Sequence, residues 1–344
     1  MKKEWIPNSE PLKSFSRYEN KKLDKIKNEN VENESQEDKM KNNIKFHLNR
    51  EIAFMEDKFG DDKFKWMKEN EDNYKMPKYF LERHYLRPET RTKMVDWMVE
   101  VFYIIQSDPG ALQLAVYIMD SYITKTDKTL YDNNIHIIGL TCIYLSSKLL
   151  DDNPLKLIDL VESIGKNQFD CEDIIKKEKE ISEKINYDFY VVGVNDYIFL
   201  LFYDLLVNQY KQIDKLKGKD IVNKYMDFCA VLSKLILYKE DLLSYKTSLI
   251  TIGVIYFGLD FLCLKEKNIN KELKHFLYNW VRDIINEFDF LPYDINCIYN
   301  EILKIYKVFI YQPIEHDKKS KNKKKNKNNP ELINLVKYYR EKLL

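Results

Sequence analysis

The side chains most often found at metal and nucleophilic sites, histidine and cysteine, are few and widely separated in this sequence. The five histidines lie at positions 47, 84, 136, 275 and 316, and the five cysteines at 142, 171, 229, 263 and 297. No cysteines form a CxxC pair, and none has a histidine at ligand spacing, so we expect neither a zinc site nor thiol catalysis. Thiols that fall mostly in apolar segments are typical of reduced, buried cysteines in an intracellular protein.

The sequence also lacks the other patterns that would indicate an enzyme. It has no glycine-rich phosphate loop and no nucleophile motif, so we expect no catalysis, no cofactor and no small-molecule substrate. With 56 Lys and Arg against 55 Asp and Glu, the net charge is +1, which gives no general attraction for nucleic acid or acidic membranes. The N-terminus lacks the apolar stretch of a signal peptide, and the longest apolar run, 249–264, is shorter than a bilayer requires. We expect a soluble, intracellular protein.

Helical periodicity dominates from residue 88 onward. Met94, Trp97, Met98 and Val101 form a stripe at i, i+3, i+4 and i+7. Segments 135–150 and 242–264 are apolar on nearly every side, as a helix buried all round would be. Each of them stands third among five helical segments. The sequence therefore predicts an all-α fold of two tandem five-helix repeats, each built around a buried central third helix.

Composition predicts the division of the chain. The predicted parts are a disordered polar tail (1–43), an N-terminal helix that ends at Gly60 and a linker (44–87), a first repeat (88–190), a second repeat (191–312), a Lys/Asn-rich loop (313–329) and a C-terminal helix (330–344).

Four strings in the first repeat resemble the cyclin box. Residues 91–101 read RTKMVDWMVEV and residues 112–120 read LQLAVYIMD. Residues 138–148 run from IGLTC to LSSK, and residues 178–189 contain E-x-x-I followed by I-x-Y-D-F. Because all four occur in the family's order and spacing, the chain resembles cyclins, with mitotic (A- and B-type) cyclins as the nearest likeness. The resemblance covers residues 88–200 clearly and residues 200–312 more weakly.

The resemblance implies a non-catalytic subunit that binds and activates a cyclin-dependent protein kinase in cell-cycle control. The residues that match the kinase contacts of cyclins are Lys148, Glu178, Leu145, Leu149, Tyr187 and Phe189. The alternatives from the residues alone are that Lys148 extends to solvent as a helix-end lysine and that the apolar four belong to the core. Ser182 stands where the family usually has a large aliphatic residue.

A second implied site departs from the family. Cyclins dock arginine-x-leucine substrates on the first helix of the box, at the positions that match Thr90, Lys93, Met94, Trp97 and Glu100. Thr90 and Lys93 replace a methionine and an aliphatic residue. A lysine in a groove that binds leucine would be a repulsive or desolvated charge, so we expect this degenerate docking groove not to bind such peptides.

Two short motifs have competing interpretations. Lys68, Glu69 and Asn70 form a KEN string, which in mitotic cyclins can recruit ubiquitin-ligase machinery, but a chain rich in these residues produces such a match by chance. The basic run 318–325 fits nuclear import or a solvated loop.

Two other classes of function share a helical fold. A cyclin-fold transcription-factor module would be expected to carry an N-terminal zinc ribbon, and this tail has no cysteine. A helical scaffold is separated from a cyclin only by kinase binding.

Overall fold

The computed structural model describes residues 59–266 and 269–311. The predicted tail (1–43), loop (313–329) and C-terminal helix (330–344) lie outside these residues, as does nearly all of the helix predicted before Gly60. The described residues belong to two compact units, one that ends at residue 69 and one that begins at residue 70.

The described part of the first unit lies in helix α1, Phe59–Asn70, whose last residue already belongs to the second unit. Gly60 was expected to end a helix, whereas it lies in the first turn of α1, which continues to Asn70. Glycine in a helix costs only about 1 kcal/mol relative to alanine, an amount that neighbouring residues can offset. Lys68 in the last turn of α1 suits the negative end of the helix dipole and lies 5.8 Å from the centroid of the Phe64 ring.

The first repeat consists of helices packed around α4. They are α2 (Pro88–Ile105), α3 (Ala111–Lys125), α4 (Ile135–Leu150), α5 (Leu157–Asp159, continued by a π-helical turn at Leu160–Ile164) and α6 (Cys171–Lys184). Pro88 occupies the first turn of α2, where its missing N–H costs nothing. Helix α4 contacts α2, α3 and α6, as its apolar surface predicted.

The second repeat is also organised around one central helix, α10, but the short helix α8 makes six helices among its described residues where five were predicted. Its helices are α7 (Val194–Val207), α8 (Tyr210–Lys215), α9 (Lys219–Leu235), α10 (Thr247–Lys265), α11 (Lys271–Phe288) and α12 (Pro292–Tyr311). Helix α10 packs against α7, α9, α11 and α12. It begins at Thr247 rather than at the predicted Leu242, because Glu240–Ser244 forms a separate 3-10 turn. The described residues contain helices and one isolated bridge, Tyr85 with Tyr131, so the all-α prediction is confirmed.

Helix α10 is the one described helix whose length and composition would allow it to cross a membrane. Two-thirds of it is buried inside the protein, and four helices of the second repeat pack against it. The central helix of a globular repeat has this same apolar composition, so the membrane signal is weak.

Buried polar contacts around an ion pair of the first repeat connect the two repeats, and sequence reasoning gave this pair no role. Arg91 on α2 donates to Asp120 on α3 through Nε (2.8 Å) and Nη2 (2.7 Å), and both side chains are 1% exposed. Nη1 of Arg91 donates to the carbonyl of Leu237, which belongs to the second repeat (3.0 Å). The hydroxyl of Tyr238 donates to Asp96 on α2 (2.9 Å). The first helix of one repeat is therefore held to the other by buried polar contacts.

The linker before α2 is also fixed to both repeats. The Glu71 carboxylate accepts from the backbone N–H of Ser248 in the first turn of α10 (2.9 Å) and from the hydroxyl of Tyr197 (3.3 Å). Such an acceptor satisfies one of the free N–H groups of a helix start. In the first repeat, the ring of Tyr74 packs edge-on against Tyr117.

Candidate functional site

Lys148 and Glu178 meet on the surface of the first repeat. Lys148 lies in the last turn of α4 and Glu178 in the middle of α6. Nζ of Lys148 lies 2.7 Å from Oε1 of Glu178, and the two side chains are 43% and 21% exposed. Helix packing of α4 on α6 therefore brings together two residues that are 30 positions apart in the sequence.

The ion pair keeps Lys148 charged while leaving it able to bind more. The hydrogen bond to Glu178 raises the pKa of Lys148, and this effect outweighs desolvation, which would lower it. The same ammonium lies 5.0 Å from the centroid of the Tyr144 ring. An ammonium has three donors and a carboxylate about four acceptor positions. One bond between them leaves free capacity on both for a partner.

Hydrogen bonds connect the ion pair to an exposed aromatic residue. Ser182, one turn after Glu178, donates from Oγ to the Glu178 carbonyl (2.7 Å). The N–H of Tyr187 donates to the carbonyl of Ser182 (2.8 Å), which closes the end of α6. Asn186 and Tyr187 both have left-handed φ values, 58° and 57°. This costly conformation fixes the direction in which the Tyr187 ring leaves the surface.

The four apolar residues predicted to contact a kinase differ in exposure. Tyr187 is 63% and Leu149 47% exposed, and Phe189 is half-buried with its ring edge-on to Tyr187. Leu145, in contrast, is 4% exposed. Leu145 therefore packs in the core, which was the alternative interpretation of this residue. It can support the exposed residues above it but is not itself available to a partner.

The predicted docking groove on α2 is partly filled. Lys93, Trp97 and Glu100 are half-exposed, whereas Thr90 is 8% exposed and Met94 fully buried. Met94 packs against Gly139 of α4, where a Cβ atom would come within 2.3 Å of the Met94 sulfur. Met94 matches a docking position of the family, but here it is part of the helix core, because Gly139 lets α2 and α4 approach closely. The weak docking expected of this groove stays a prediction.

His136 is a component of this region that sequence reasoning missed. Its ring contacts Trp97 and Phe169 edge-on, each at a centroid distance of 5.3 Å. Burial lowers the pKa of His136 to about 4, although a hydrogen bond with Gln168 acts in the opposite direction. The imidazole is therefore neutral at physiological pH. The sequence signal that could have identified His136 is its position as a polar residue in the otherwise apolar first turn of α4.

The described residues contain no group of three His, Cys, Asp or Glu side chains placed to hold a metal ion. The KEN string lies at the C-terminal end of α1, where Lys68 and Asn70 are half-exposed and Glu69 is exposed. Its role as a degron stays a prediction.

Comparison with known proteins agrees with the motifs. Residues 62–190 match the sequence model of the family described as "Cyclin, N-terminal domain". The chain is 28% identical over 130 residues to G2/mitotic-specific cyclin-B3 of Mus musculus, which is 38% of this chain and 9% of that protein. It is 26% identical over 131 residues to G2/mitotic-specific cyclin-4 of Saccharomyces cerevisiae, 38% of this chain and 28% of that protein. It is 24% identical over 154 residues to G2/mitotic-specific cyclin-2 of Antirrhinum majus, 45% of this chain and 33% of that protein.

A solved structure, a viral cyclin from herpesvirus saimiri, aligns with 70% of this chain and 97% of its own at 18% identity and a TM-score of 0.47. The family match covers residues 62–190, the stretch that contains the four strings and the Lys148–Glu178 pair. The resemblance to mitotic cyclins deduced from the four strings is thereby confirmed. The matched stretches span a third or less of these three relatives.

Proposed function

We propose that this chain is a cyclin: a regulatory subunit, without catalytic activity of its own, that binds and activates a cyclin-dependent serine/threonine kinase in the cell cycle. The observation that carries the proposal is the Lys148–Glu178 ion pair, formed at 2.7 Å on the surface of a cyclin N-terminal domain. We also propose that the protein acts in the nucleus and cytoplasm.

The surface around the pair has the chemistry of a helix-binding site. Ile175, Glu178 and Ser182 lie on one stripe of α6 at i, i+3 and i+7, and Ile175 is 52% exposed. Leu149, the residue after Lys148, and Tyr187 are further exposed apolar side chains of the same repeat. Exposed aromatic and aliphatic side chains around a few polar groups are typical of binding hot spots. Two N–H donors of the Lys148 ammonium are not used by Glu178. They can donate to the free backbone carbonyls at the C-terminal end of a partner helix.

Such a surface activates a kinase without touching its nucleotide. A kinase is active when the glutamate of its αC helix pairs with the β3 lysine and its activation loop is ordered. A rigid surface that binds only this arrangement shifts the kinase toward it by the difference in affinity between the two states. The buried Arg91–Asp120 pair and the left-handed backbone at Tyr187 supply that rigidity. ATP and magnesium remain with the kinase.

Affinity capture tests the proposal. The full chain, immobilised and incubated with purified cyclin-dependent kinases, should retain at least one of them and raise its rate of histone phosphorylation. The Lys148→Glu, Glu178→Lys double variant should retain none. This variant can still form an internal ion pair, so its circular-dichroism spectrum should be unchanged. Equal retention of kinase by both proteins would contradict the assignment.

A further inference from the structure

Tyrosine hydroxyls from two helices converge on one aspartate of the second repeat. Asp260 lies on α10, Tyr278 on α11 and Tyr299 on α12. Oδ1 of Asp260 accepts from the hydroxyl of Tyr278 at 2.6 Å, and Oδ2 accepts from the hydroxyl of Tyr299 at 3.1 Å. Side chains of α11 and α12 therefore reach the same carboxylate of α10.

A third ring completes the group. Tyr256 lies one turn before Asp260 on α10, and its ring centroid is 5.5 Å from that of Tyr299, with the planes at 54°. We call Tyr256, Asp260, Tyr278 and Tyr299 the tyrosine cluster. All four side chains are half-exposed. They therefore remain accessible from solvent although they lie on the apolar central helix of the repeat.

The charge of the tyrosine cluster is not compensated. Among the described residues, Asp260 forms no ion pair, and the tyrosines use two of its roughly four acceptor positions. A partly buried carboxylate without a cation is less stable than a paired one. Burial and Asp260 together raise the pKa of Tyr299 to about 12 and raise that of Tyr278 further. Both phenols therefore stay neutral and can donate to Asp260.

One cation already uses this aromatic surface from outside. Nζ of Lys274, an exposed residue of α11, lies 5.9 Å from the centroid of the Tyr278 ring. The face of an aromatic ring attracts cations because its quadrupole is negative there. Lys274 forms no ion pair with Asp260, so the carboxylate remains available. A second cation at the cluster would compete with Lys274 for the ring.

We propose that the tyrosine cluster binds an arginine side chain of a basic partner peptide. A guanidinium is planar, so it can stack on the tyrosine rings while it donates to the remaining acceptor positions of Asp260. Aromatic rings around a negative group form the type of cage that recognises organic cations in other proteins. The site lies on the second repeat and does not depend on the kinase proposal.

The test follows the tyrosine rings of the full chain by NMR. The chain, labelled with carbon-13 at the tyrosine ring positions, is titrated with N-acetyl-Gly-Arg-Gly-amide, and the matched peptide carries neutral citrulline instead of arginine. The arginine peptide should shift the resonances of Tyr256, Tyr278 and Tyr299 in a saturable manner, and the citrulline peptide should not. Absence of a saturable shift, or equal shifts with both peptides, would overturn the proposal.

Variants of the chain assign the effect to the tyrosine cluster. Asp260→Asn should weaken arginine binding about tenfold, equivalent to about 1.4 kcal/mol, and Lys274→Gln should strengthen it by removing the competing cation. The control is Asp214→Asn, an exposed aspartate of α8, which should leave the affinity unchanged. If Asp260→Asn fails to fold, the arginine peptide is titrated against Tyr256→Leu instead. This variant removes one ring but keeps apolar volume, and it should also bind the peptide more weakly. Unchanged affinity in the folded variants would overturn the proposal.

Discussion

Removing the carboxylate of the buried Arg91–Asp120 pair should strongly destabilise the protein. In the Asp120→Asn variant the guanidinium of Arg91 stays 1% exposed but loses its counter-ion and keeps only the neutral Leu237 carbonyl and the new amide as acceptors. Burial by itself lowers the pKa of Arg91, whereas Asp120 raises it, so Asp120 stabilises the buried guanidinium charge. Breaking a buried pair from one side costs about 3–5 kcal/mol.

Urea unfolding followed by circular dichroism measures this loss. The matched control is Glu266→Gln, which removes an ion pair with Lys224 whose side chains are 32% and 59% exposed. Exposed pairs contribute only about 0–1 kcal/mol, so the control should unfold almost as the unaltered chain does. The double variant Arg91→Met, Asp120→Leu removes both charges and should recover most of the loss.

The results that would refute this reasoning are specific. A loss below about 1 kcal/mol in Asp120→Asn, equal to that in Glu266→Gln, would show that the buried charges are not coupled as their geometry implies. A double variant as unstable as the single one would show that the lost stability does not come from an unpaired charge.

Three further results are expected. An arginine-x-leucine peptide should bind the unaltered chain more weakly than low micromolar in fluorescence anisotropy, and Lys93→Ile should improve binding; low-micromolar binding by the unaltered chain would contradict the account of the docking groove. Burial raises the pKa of Glu180, but hydrogen bonds from Lys128, Tyr122 and Lys177 outweigh it and lower the value to about 2. The folded state therefore binds fewer protons than the unfolded state between about pH 4.5 and 2. The stability that Glu180 contributes is present above about pH 4.5 and is lost as the pH falls toward 2. Acid unfolding of the Glu180→Gln variant should lack this pH-dependent loss of stability. Glu71→Ala should cost about 1–3 kcal/mol in urea unfolding, because it leaves the buried N–H of Ser248 at the start of α10 without its acceptor. Asp72→Ala, at an exposed neighbour, should cost far less.

The central helices were predictable, while the short elements were not. Helices α4 and α10 are apolar on all sides, so their position inside each repeat followed from the sequence. Helix α8, six residues long, and the 3-10 turn at Glu240–Ser244 carry too few residues for a periodic pattern. Their formation depends on the helices around them, which a local pattern does not contain.

The site was predictable in its residues but not in its geometry. Lys148 and Glu178 were chosen because their strings resemble a family, and no spacing rule joins two residues on different helices. The burial of Met94 depends on how closely α2 approaches Gly139, which helical periodicity does not define. The same limit applies to the tyrosine cluster, whose members come from three helices and meet only through packing.

Kinase activation by the purified chain is the most direct test of the proposed function. A cyclin-dependent kinase captured by the chain is assayed for histone phosphorylation with the unaltered protein, with the Lys148→Glu, Glu178→Lys double variant, and with Lys224→Glu, Glu266→Lys as a control swap on the second repeat. The unaltered chain and the control swap should activate the kinase to the same extent, and the Lys148–Glu178 swap should leave it at its basal rate. Full activation by the Lys148–Glu178 swap would contradict the proposal that this face of the first repeat binds the kinase.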